Sequence, residues 1–585
     1  MVADTGAQRP TIQSVWQRWR QWLPLLLIWG LALLIRSILV QPERVVWGDE
    51  PFYLWLGRNW ATGQGFEFVG HPDVHHGPLF PMLAGLIDRL IGNLEVASDI
   101  IYVLFGSLLV WPVYGMAREV YDRRIGLAAA LMTAVWPGFS VAVLHWGTLT
   151  EPMYMTFVCA GLYYGLVALR GRWDCIGRRG QAVPKGVHWW TYGLAGLFIG
   201  LAYLTRPEAF IYMGIIGLAL LVPNALLGQL KRVTFWRDLT LFVAGFALCF
   251  VPYAIYVHAQ TGAWMVSEKV GVAYLTGIGL AHGDTAAFDR STWGLDSTGL
   301  ETFFFSSESY TISMVELILG DVELFLRILY LNSMRFVRVL IDWTLLPALM
   351  LPLLILGLFD RGWSRERTLK EIYLALTWVP VLSFILFFIQ ARYLVPALPV
   401  AVIWVARGSL KLGDWLLGTL AELRAPVADK GQSKPVRPVP QPWRGMLEWL
   451  PAALVLVMLV AAYPRVHRAV TGVGSVRPEH RTMGETLGEL SEPGEVVMCR
   501  YPAIAFHADR DWMPTPNASW SEVLHYARHK SVDYFVIDQR ELMYRPQFQP
   551  LMGAEDVPPE LELVLDSVSS DGSERMVIYR LNDGS

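Results

Sequence analysis

The chain has 585 residues, of which 54% are hydrophobic and 17% charged, and its formal net charge at pH 7 is −3. Soluble domains carry charge on about a quarter of their residues, so this composition indicates a polytopic membrane protein. The sequence has no basic patch interleaved with aromatic residues, which argues against a nucleic-acid partner. The four cysteines show no metal-ligand or redox spacing, and no nucleotide-binding fingerprint occurs. Any group-transfer chemistry must therefore use a substrate that arrives already activated.

The N-terminal segment predicts a membrane anchor. Residues 1–21 are polar and carry several arginines, and residues 22–40 are apolar over about the 20 residues that a membrane-spanning helix needs. No small-residue cleavage site follows this segment, so the pattern indicates an uncleaved signal anchor. We therefore expect residues 1–21 to form a cytoplasmic N-terminus.

The outer loop 41–98 holds an unusual acidic pair. Asp49 and Glu50 follow the first apolar segment, where a membrane helix should emerge into water. Carboxylates at a membrane boundary are costly unless they have a partner or a function, although a solvated pair at a helix start is the alternative interpretation. A histidine-rich cluster at 71–78 follows, and the interrupted apolar run at 79–92 predicts an interfacial helix.

Further apolar segments predict membrane spans throughout the first 464 residues. With the first, they make about eleven spans. The others lie at 99–117, 125–142, 150–169, 189–205, 208–227, 239–257, 340–358, 371–389, 394–410 and 447–463. Lys and Arg are concentrated in alternate connections, including a Pro-rich linker at 425–442, and this positive-inside bias orients the chain. The sequence thus predicts an integral plasma (inner) membrane protein with a transmembrane domain at 22–464.

The outer loop 258–338 is the longest connection in the predicted membrane domain. It ends in an amphipathic stretch from Leu324 to Val339, in which Arg327, Arg335 and Arg338 alternate with apolar residues. Connections of this length usually serve as lids or binding elements. We therefore expect this segment to close over a site on the outer face.

Residues 465–585 differ in pattern from the rest of the chain. Strand-like runs such as Asp533 to Asp538 alternate with helical patterns such as Trp520 to His529. This alternation predicts a soluble α/β domain, which at about 120 residues is large enough to bury its own core. The charge bias places this domain outside the cell membrane.

The predicted topology gathers polar residues on the outer side of the membrane. They are Asp49, Glu50, His71, Asp73, His75, His76, His145, Glu151, Arg206, Glu208, His258 and Arg392. Each also has a structural interpretation. Glu151 suits a helix start, and Arg206 suits a surface ion pair with Glu208. Arg392 suits an interfacial anchor, and the histidines suit structural roles.

As a set, these residues suit transfer from a lipid-linked phosphate. A carboxylate at the water–lipid boundary would act as general base toward an acceptor hydroxyl. Nearby arginine or histidine side chains would hold the phosphate leaving group as its charge develops. A donor that reaches the site through the bilayer also removes the need for a nucleotide site.

Short motifs within this set carry a resemblance to a known family. They are the Asp-Glu pair after the first span, "HHGPLFP", "TLTEP", "LTRPEAF" and "RYLVPALP". In order and spacing, over roughly residues 20–410, they resemble the C-type-fold membrane glycosyltransferases of the protein O-mannosyltransferase-like and aminoarabinose-transferase-like group. The resemblance implies a C-type glycosyltransferase fold that takes a sugar from a polyprenyl-phosphate donor at the outer face.

The resemblance also implies roles for individual residues. The catalytic candidates are Asp49, Glu50 and Glu151; the donor-phosphate candidates are His76, Arg392 and Arg206; candidate substrate or metal contacts are His75, Asp73, His258 and Tyr53. At the phosphate position, histidine replaces the family's lysine, which makes that contact pH-dependent. Some relatives carry a divalent metal near the first loop, and His75 with Glu50 or His258 is the candidate site here. No other cofactor is expected.

The sequence therefore predicts an inverting glycosyltransferase with Asp49 as general base. The donor is a polyprenyl-phosphate-linked sugar in the membrane lipid, and the acceptor hydroxyl belongs to a protein, a lipid or a glycan. One alternative is a transporter or flippase of a lipid-linked or small polar substrate, since intramembrane charges also mark substrate paths. Another is a sensor or assembly scaffold, for which about eleven spans are more than an anchor needs.

Overall fold

The computed structural model describes residues 12–40, 44–145, 150–171, 188–360, 362–423, 441–472, 477–553, 557–568 and 574–582. The linker predicted at 425–442 falls largely outside these residues. Within the described part, a helical membrane portion precedes a C-terminal domain that mixes helices and strands.

The first part of the membrane portion, up to Thr261, contains eleven helices and one small hairpin in its described residues. The helices are α1 (Ile12–Leu39), α2 (Glu50–Thr62), α3 (Leu79–Ile91), α4 (Leu94–Leu108), α5 (Val110–Val120), α6 (Arg123–Val135), α7 (Val141–His145), α8 (Thr150–Ala168), α9 (Trp190–Tyr203), α10 (Ala209–Leu226) and α11 (Val233–Thr261). Strands β1 (Glu67–Phe68) and β2 (His71–Pro72) pair antiparallel in the first outer loop. The run at 79–92, for which the sequence predicts an interfacial helix, forms the helix α3.

The segment 258–338 is mostly helical instead of an extended loop. It contains α12 (Lys269–Ala281), α13 (Ala287–Trp293), α14 (Met314–Gly320) and α15 (Val322–Leu340). The membrane portion then continues with α16 (Leu351–Phe359), α17 (Arg365–Leu376), α18 (Val379–Leu382), α19 (Ala391–Leu394), α20 (Leu398–Leu423) and α21 (Gln441–Gly472). The amphipathic pattern from Leu324 to Val339 is thus confirmed as a helix, α15.

Seven helical segments among the described residues are long and apolar enough to cross a membrane. They are Arg20–Leu39, Leu94–Val120, Ala209–Leu226, Val233–Thr261, Arg365–Leu386, Ala391–Leu423 and Arg444–Val470. The other predicted spans coincide with helices that are shorter, interrupted or more polar. The prediction of a polytopic α-helical membrane protein is confirmed, and these seven are its longest apolar helices in the described part.

Two predicted spans are longer than the helices that the structure shows, and proline explains both differences. The span predicted at 125–142 stops at Val135, because Pro137 forces Trp136 into extended backbone. The span predicted at 340–358 does not begin until Ala348, after Pro347, so its first residues belong to the end of α15 and an irregular connection. Hydropathy alone does not register these breaks.

The C-terminal region mixes helices and strands, as the α/β prediction expected, and its strands form a five-stranded sheet. Its elements are α22 (Pro478–Leu490), β3 (Val496–Cys499), α23 (Pro502–Ala508), β4 (Asp511–Pro514), α24 (Trp520–His529), β5 (Tyr534–Asp538), β6 (Leu561–Val568) and β7 (Arg575–Leu581). The strand order is β4-β3-β5-β7-β6, parallel among the first three and antiparallel for the rest. Helix α21 continues to Gly472, past the position 465 at which the sequence predicts the domain to begin.

The first outer loop packs into the core of the C-terminal domain. The rings of Phe52 and Phe68 lie 5.1 and 5.7 Å from that of Trp512, and Trp293 of α13 lies 5.7 Å from the same ring. Buried aromatic side chains contribute most to such contacts because each removes a large apolar area from water. This shared core fixes α2 and the residues before it against the C-terminal domain.

Candidate active site

Asp49 stands directly before α2. Gly48 adopts a positive φ of 63° that favours glycine, and Pro51 in the first turn suits a helix start. Asp49 occupies the N-cap position but makes no side-chain capping bond. Its Oδ2 instead accepts a hydrogen bond from Nη1 of Arg392 at 3.0 Å. The alternative interpretation of Asp49 as a simple helix cap is therefore wrong.

Asp49 lines a cavity of about 890 Å³ between the membrane portion and the C-terminal domain. The wall includes Trp47, Gly48, Asp49 and Phe52 from the first outer loop, Phe288 and Trp293 from α13, Arg338, Val339, Asp342 and Thr344 around the end of α15, Gln390, Ala391 and Arg392, Ala469 and Val470, and Arg500, Tyr501, Pro502, Ala503 and Tyr544 from the C-terminal domain. A cavity of this size accommodates a small-molecule substrate. We call it the main cavity.

A string of charged and aromatic side chains leads inward from Asp49. The Arg392 guanidinium lies 5.2 Å from the centre of the Tyr393 ring, and the Arg206 guanidinium lies 5.7 Å from the same ring. Arg206 in turn donates from Nη1 to Oε1 of Glu151 at 2.7 Å. We call Asp49, Arg392, Tyr393, Arg206 and Glu151 the cavity cluster. The sequence predicted four of its five members.

Nearby basic side chains place Asp49 in a positive field. Burial by itself would raise the pKa of the Asp49 carboxyl, but the nearby positive charges, Arg392 first and then Lys269, oppose it, and this pKa lies below its usual value. Asp49 is therefore ionised at neutral pH. Lys269, at the start of α12, forms no ion pair with any residue that the structure describes. The sequence analysis gave Lys269 no role, since only the fold brings α12 near the first loop.

Glu50 lies in a different environment from its neighbour. Its carboxylate is fully buried and accepts from both terminal nitrogens of Arg44, at 2.8 and 2.5 Å. Ser98 donates to the same carboxylate at 3.3 Å, and Arg44 also binds Asp99 at 2.9 Å. Glu50 is absent from the wall of the main cavity. The geometry thus gives Glu50 an anchoring position instead of the catalytic one expected from the sequence.

His76 and Asp73 form a buried pair. Nδ1 of His76 lies 2.9 Å from Oδ2 of Asp73, whose Oδ1 accepts the backbone N–H groups of His75 and His76. Burial raises the pKa of Asp73, yet His76 and these bonds bring it down to about 2. Burial also lowers the pKa of His76. A neutral His76 that donates from Nδ1 offers no positive charge to a phosphate.

Tyr53 packs beside this pair. Its ring centre lies 4.9 Å from that of His76 and 5.5 Å from that of Phe80, in edge-to-face geometry. Burial, with a smaller contribution from Asp49, raises the pKa of the Tyr53 hydroxyl. Tyr53 therefore stays protonated and is a hydrogen-bond donor close to the cavity cluster.

The proposed metal ligands are not assembled as expected. Nε2 of His75 lies 2.8 Å from Oε1 of Glu268, whereas Glu50 binds Arg44 and His258 stacks on Trp264. Both ring nitrogens of His75 and both carboxylate oxygens of Glu268 are buried without a hydrogen bond. This pair would suit two ligands of a divalent ion. In the described ranges, no group of three or more candidate ligands occurs.

The remaining polar residues of the predicted set lie away from the main cavity. His71 pairs with Glu301 at 3.2 Å, and His145 packs against His467 with ring centres 5.0 Å apart. Glu208 lies 3.5 Å from Arg206, as the surface ion-pair interpretation expected. These residues border the site without entering the main cavity.

The C-terminal domain contributes site residues that the sequence analysis did not identify. The Arg500 guanidinium lies 4.7 Å from the Tyr501 ring and 4.6 Å from the Tyr544 ring, and all three line the main cavity. Arg500 is held by Asp289 of α13 through bonds of 3.0 and 2.7 Å. No motif marks these residues, because they meet the membrane portion only after folding.

Comparisons with known proteins define the class of fold. Residues 75–256 match the family model described as dolichyl-phosphate-mannose-protein mannosyltransferase. The apo structure of ArnT from Cupriavidus metallidurans is similar at 15% identity with a TM-score of 0.54, over 97% of this chain and 98% of that chain. No curated protein matches the chain.

Two structures with bound lipid phosphate are also similar. ArnT from Cupriavidus metallidurans bound to undecaprenyl phosphate has 14% identity and a TM-score of 0.53, over 95% of this chain and 97% of that chain. The archaeal oligosaccharyltransferase AglB from Archaeoglobus fulgidus, with an inhibitory peptide and a dolichol-phosphate, has 15% identity and a TM-score of 0.50, over 97% of this chain and 75% of that chain. The C-type glycosyltransferase fold expected from the motifs is confirmed.

Proposed function

We propose that this protein transfers a sugar from a polyprenyl-phosphate donor to an acceptor hydroxyl, with inversion at the anomeric carbon. The observation that carries the proposal is the Asp49–Arg392 ion pair at 3.0 Å in the wall of the main cavity. It joins a base and an anion-binding group in one place. The family match over residues 75–256 and the lipid phosphates bound to the similar ArnT and AglB support this choice of donor.

In the proposed reaction, Asp49 is the general base. Its carboxylate takes the proton of the acceptor hydroxyl while the hydroxyl oxygen attacks the anomeric carbon of the donor. The new glycosidic C–O bond forms as the bond to the phosphate oxygen breaks, and the electron pair leaves with the phosphate. Attack from the side opposite the phosphate inverts the configuration. The products are the glycoside, the polyprenyl phosphate and one proton on Asp49.

In this mechanism, Arg392 connects the activation of the general base with the stabilisation of the phosphate leaving group. In the free protein its positive charge helps to keep the pKa of Asp49 low, which makes Asp49 a weak base. When Arg392 turns its charge to the donor phosphate, the pKa of Asp49 should rise toward the operating pH, where a general base is most effective. Donor binding would thus activate the base and stabilise the leaving group together.

The rest of the cavity cluster would position Arg392 and the sugar. Glu151 is buried and bound to Arg206, so we propose that it orients Arg206 instead of handling a proton. Both guanidinium groups lie close to the Tyr393 ring, whose π-face would offset part of their mutual repulsion and so help to hold them together. Arg206 would then contact the phosphate or the sugar from the inner end of the site.

We further propose that the N-terminus is cytoplasmic and that the main cavity and C-terminal domain face outward. The excess of Lys and Arg in alternate connections supports this orientation. The acceptor would enter between the membrane portion and the C-terminal domain, where Arg500, Tyr501 and Tyr544 line the cavity. A protein, a lipid or a glycan acceptor is compatible with this opening.

The test is donor consumption by purified full-length protein given a panel of radiolabelled polyprenyl-phosphate sugars and membrane extract as acceptor source. Wild type is compared with Asp49→Asn and with Asp342→Asn. Asp342 lines the same cavity, and its Oδ1 accepts the Thr344 N–H at 2.8 Å, a bond that an amide oxygen keeps. We expect wild type and Asp342→Asn to consume one donor and Asp49→Asn to consume none.

The outcomes separate the proposal from its rivals. Equal consumption by Asp49→Asn would remove Asp49 from the mechanism. No consumption by wild type, together with movement of labelled lipid across proteoliposomes, would favour the flippase alternative. The anomeric configuration of the product, measured by NMR, decides between inversion and retention.

A further inference from the structure

A smaller cavity adjoins the main cavity between α12, α13 and the C-terminal domain. It has a volume of about 310 Å³ and shares four wall residues with the main cavity, namely Phe288, Gln390, Arg500 and Tyr544. We call it the annex. Of the eleven wall residues that the structure describes, seven can form hydrogen bonds through their side chains. The walls of most small-molecule sites are mainly apolar, so the annex suits a ligand that carries many polar groups.

Gln390 connects the annex with the proposed catalytic base. Its Oε1 accepts a hydrogen bond from Nε of Arg392 at 3.0 Å, and Nη1 of Arg392 donates to Oδ2 of Asp49 at 3.0 Å. Two successive hydrogen bonds thus link the wall of the annex to Asp49. A ligand in the annex therefore lies close to Asp49, on the side where the acceptor would enter.

Several hydrogen-bonding groups of the annex wall are free to bind a ligand. The amide nitrogen of Gln390 and the hydroxyls of Thr285 and Tyr544 form no hydrogen bond with any residue that the structure describes. The ring of Phe288 is 45% exposed beside them. A sugar ring matches this wall, because it has hydroxyls around its edge and apolar C–H faces that pack on an aromatic ring. A peptide side chain offers one or two polar atoms and uses less of it.

Arg335 of α15 gives the annex a positive charge. It is exposed and forms no ion pair with any residue in the described part of the chain. The acid in the same wall, Asp289, is bound by Arg500 at 3.0 and 2.7 Å and lies 3.1 Å from Nε of Arg545. Because two arginines already neutralise Asp289, the charge of Arg335 remains available. A free guanidinium favours a carboxylate, which it can bind through two hydrogen bonds.

We propose that the annex is an acceptor subsite that binds one hexuronic acid unit of a glycan. Arg335 binds the carboxylate of the unit, Phe288 packs on its ring, and the free groups of Thr285, Gln390 and Tyr544 bind its hydroxyls. The volume of the annex is at the lower end of the range for small-molecule sites, which limits it to about one sugar ring. This inference rests on the proposed function and narrows its acceptor to an acidic glycan. Arg392 and Arg206 keep their role at the donor phosphate.

The test measures binding in the absence of donor, so that it is independent of sugar transfer. Purified full-length protein in detergent is titrated with methyl glucuronide, methyl galacturonide and methyl mannuronide, and with the three matching neutral hexosides. Acetate and the dipeptide N-acetylaspartylserine amide represent a bare carboxylate and an acidic peptide. Saturation-transfer difference NMR, which detects weak ligands, gives each Kd.

The variants separate the charge of the annex from its hydroxyl contacts. Arg335→Gln removes the charge, Arg335→Lys keeps it, and Tyr544→Phe removes one hydroxyl but leaves the ring beside Arg500. Arg327→Gln is the matched control, because Arg327 is an exposed arginine of the same helix that lines neither the main cavity nor the annex.

We expect one hexuronide to bind the wild type at least about tenfold more tightly than its neutral hexoside, which lacks the charged contact. The Kd of that hexuronide should rise about tenfold or more in Arg335→Gln, less in Arg335→Lys, and not at all in Arg327→Gln. The neutral hexoside should bind wild type and Arg335→Gln equally. Tyr544→Phe should weaken both sugars about threefold, because each loses one neutral hydrogen bond.

The absence of hexuronide binding, or equal binding by wild type and Arg335→Gln with matching elution profiles, would overturn the annex as an acidic-sugar site. Tighter binding of acetate or of the dipeptide at Arg335 would overturn it as well, by assigning the site to a bare anion or to a peptide. These results differ from failure of the proposed function. Donor consumption without Arg335-dependent sugar binding keeps the transferase and loses the annex, whereas Arg335-dependent sugar binding without donor consumption does the reverse.

Discussion

Asp49 and Glu50 are neighbours in the chain, yet they belong to two different kinds of region. Glu50 is closed off: its side chain is 0% exposed and its two oxygens are bound by Arg44. Asp49 is open: its side chain is 35% exposed in the main cavity and bound through one oxygen to Arg392. The residue types and their positions in sequence are almost the same, and only the number of bonds and the access of solvent differ.

This difference indicates which carboxylate is available for chemistry. A buried carboxylate that gives up its cation leaves two uncompensated charges in an apolar environment, which costs several kcal/mol. A partly exposed carboxylate can exchange one bond with arginine for a bond to a substrate, since water and the ligand replace what is lost. We therefore expect substitutions in the open region to affect catalysis and those in the closed region to affect stability.

The largest expected effect is on catalysis at Asp49. Asp49→Asn should lower the rate of sugar transfer by about 10²–10⁴-fold, the usual contribution of a general base, with little change in thermal unfolding. The measurement is single-turnover transfer with saturating donor, alongside a melting curve by size-exclusion chromatography. A variant that loses activity only in proportion to its loss of folded protein would make Asp49 a structural residue like Glu50.

The next effect is on the stability of the closed region. Arg44→Ala should lower the free energy of unfolding by about 3–5 kcal/mol, because it leaves the buried Glu50 and the nearby Asp99 without their cation. Arg44→Lys should lose less stability than Arg44→Ala, since an ammonium keeps the positive charge but cannot bind the Glu50 carboxylate in the same bidentate geometry. Melting temperatures of the purified variants test both statements. An unchanged melting temperature for Arg44→Ala would contradict them.

The sequence predicted those features that depend on residues close together in the chain. Hydropathy identified the membrane portion, and the helix at 520–529 was predicted with the bounds that the structure has. The motifs identified Asp49 and Arg392 separately. Their pairing spans 343 positions of the chain, so no periodicity or spacing could predict it.

What the sequence missed depends on long-range packing. Strand β4 is four residues long and ends in proline, which gives too short a pattern for a strand prediction. Arg500 and Tyr544 come from the C-terminal domain and acquire a role only when that domain covers the first outer loop. The different fates of Asp49 and Glu50 likewise follow from Arg44 and Arg392, whose partners the sequence does not reveal.

A second closed region gives a smaller, pH-dependent effect. Glu541 is buried between Arg545 and Asp538, and burial raises its pKa to about 7 although Arg545 and Arg500 oppose the rise. The folded state thus holds a proton that the unfolded state releases near its ordinary pKa of about 4.3. Stability is therefore greatest below that value and declines as the pH rises toward 7.

Glu541→Gln replaces the titratable carboxyl by a neutral amide, so it should reduce the decline in stability with rising pH. We expect the wild type to lose stability on the order of 2 kcal/mol between pH 5 and pH 7.5, and the variant to be more stable than the wild type at pH 8. Hydrogen exchange of the peptide covering 534–545 in the full-length protein measures this locally. His480 lies 2.7 Å from Asp538, so His480→Gln alters the neighbouring pair while keeping Glu541, and the same experiment on it serves as the control.

The smallest expected effect lies at the opposite extreme, where an ion pair is neither buried nor in a cavity. Arg58 of α2 donates from Nη1 to Oδ1 of Asp509 at 2.9 Å, and their side chains are 37% and 77% exposed. Water already solvates both groups, so Arg58→Ala should change the free energy of unfolding by less than about 1 kcal/mol and leave transfer unchanged. The aromatic contacts of Phe52 and Phe68 with Trp512, not this pair, hold α2 against the C-terminal domain. A loss of several kcal/mol in the free energy of unfolding, or a loss of transfer activity, would contradict this prediction. It would show that solvent access alone does not determine how much each ion pair contributes to stability. It would also show that the contact between α2 and the C-terminal domain depends on its surface charges.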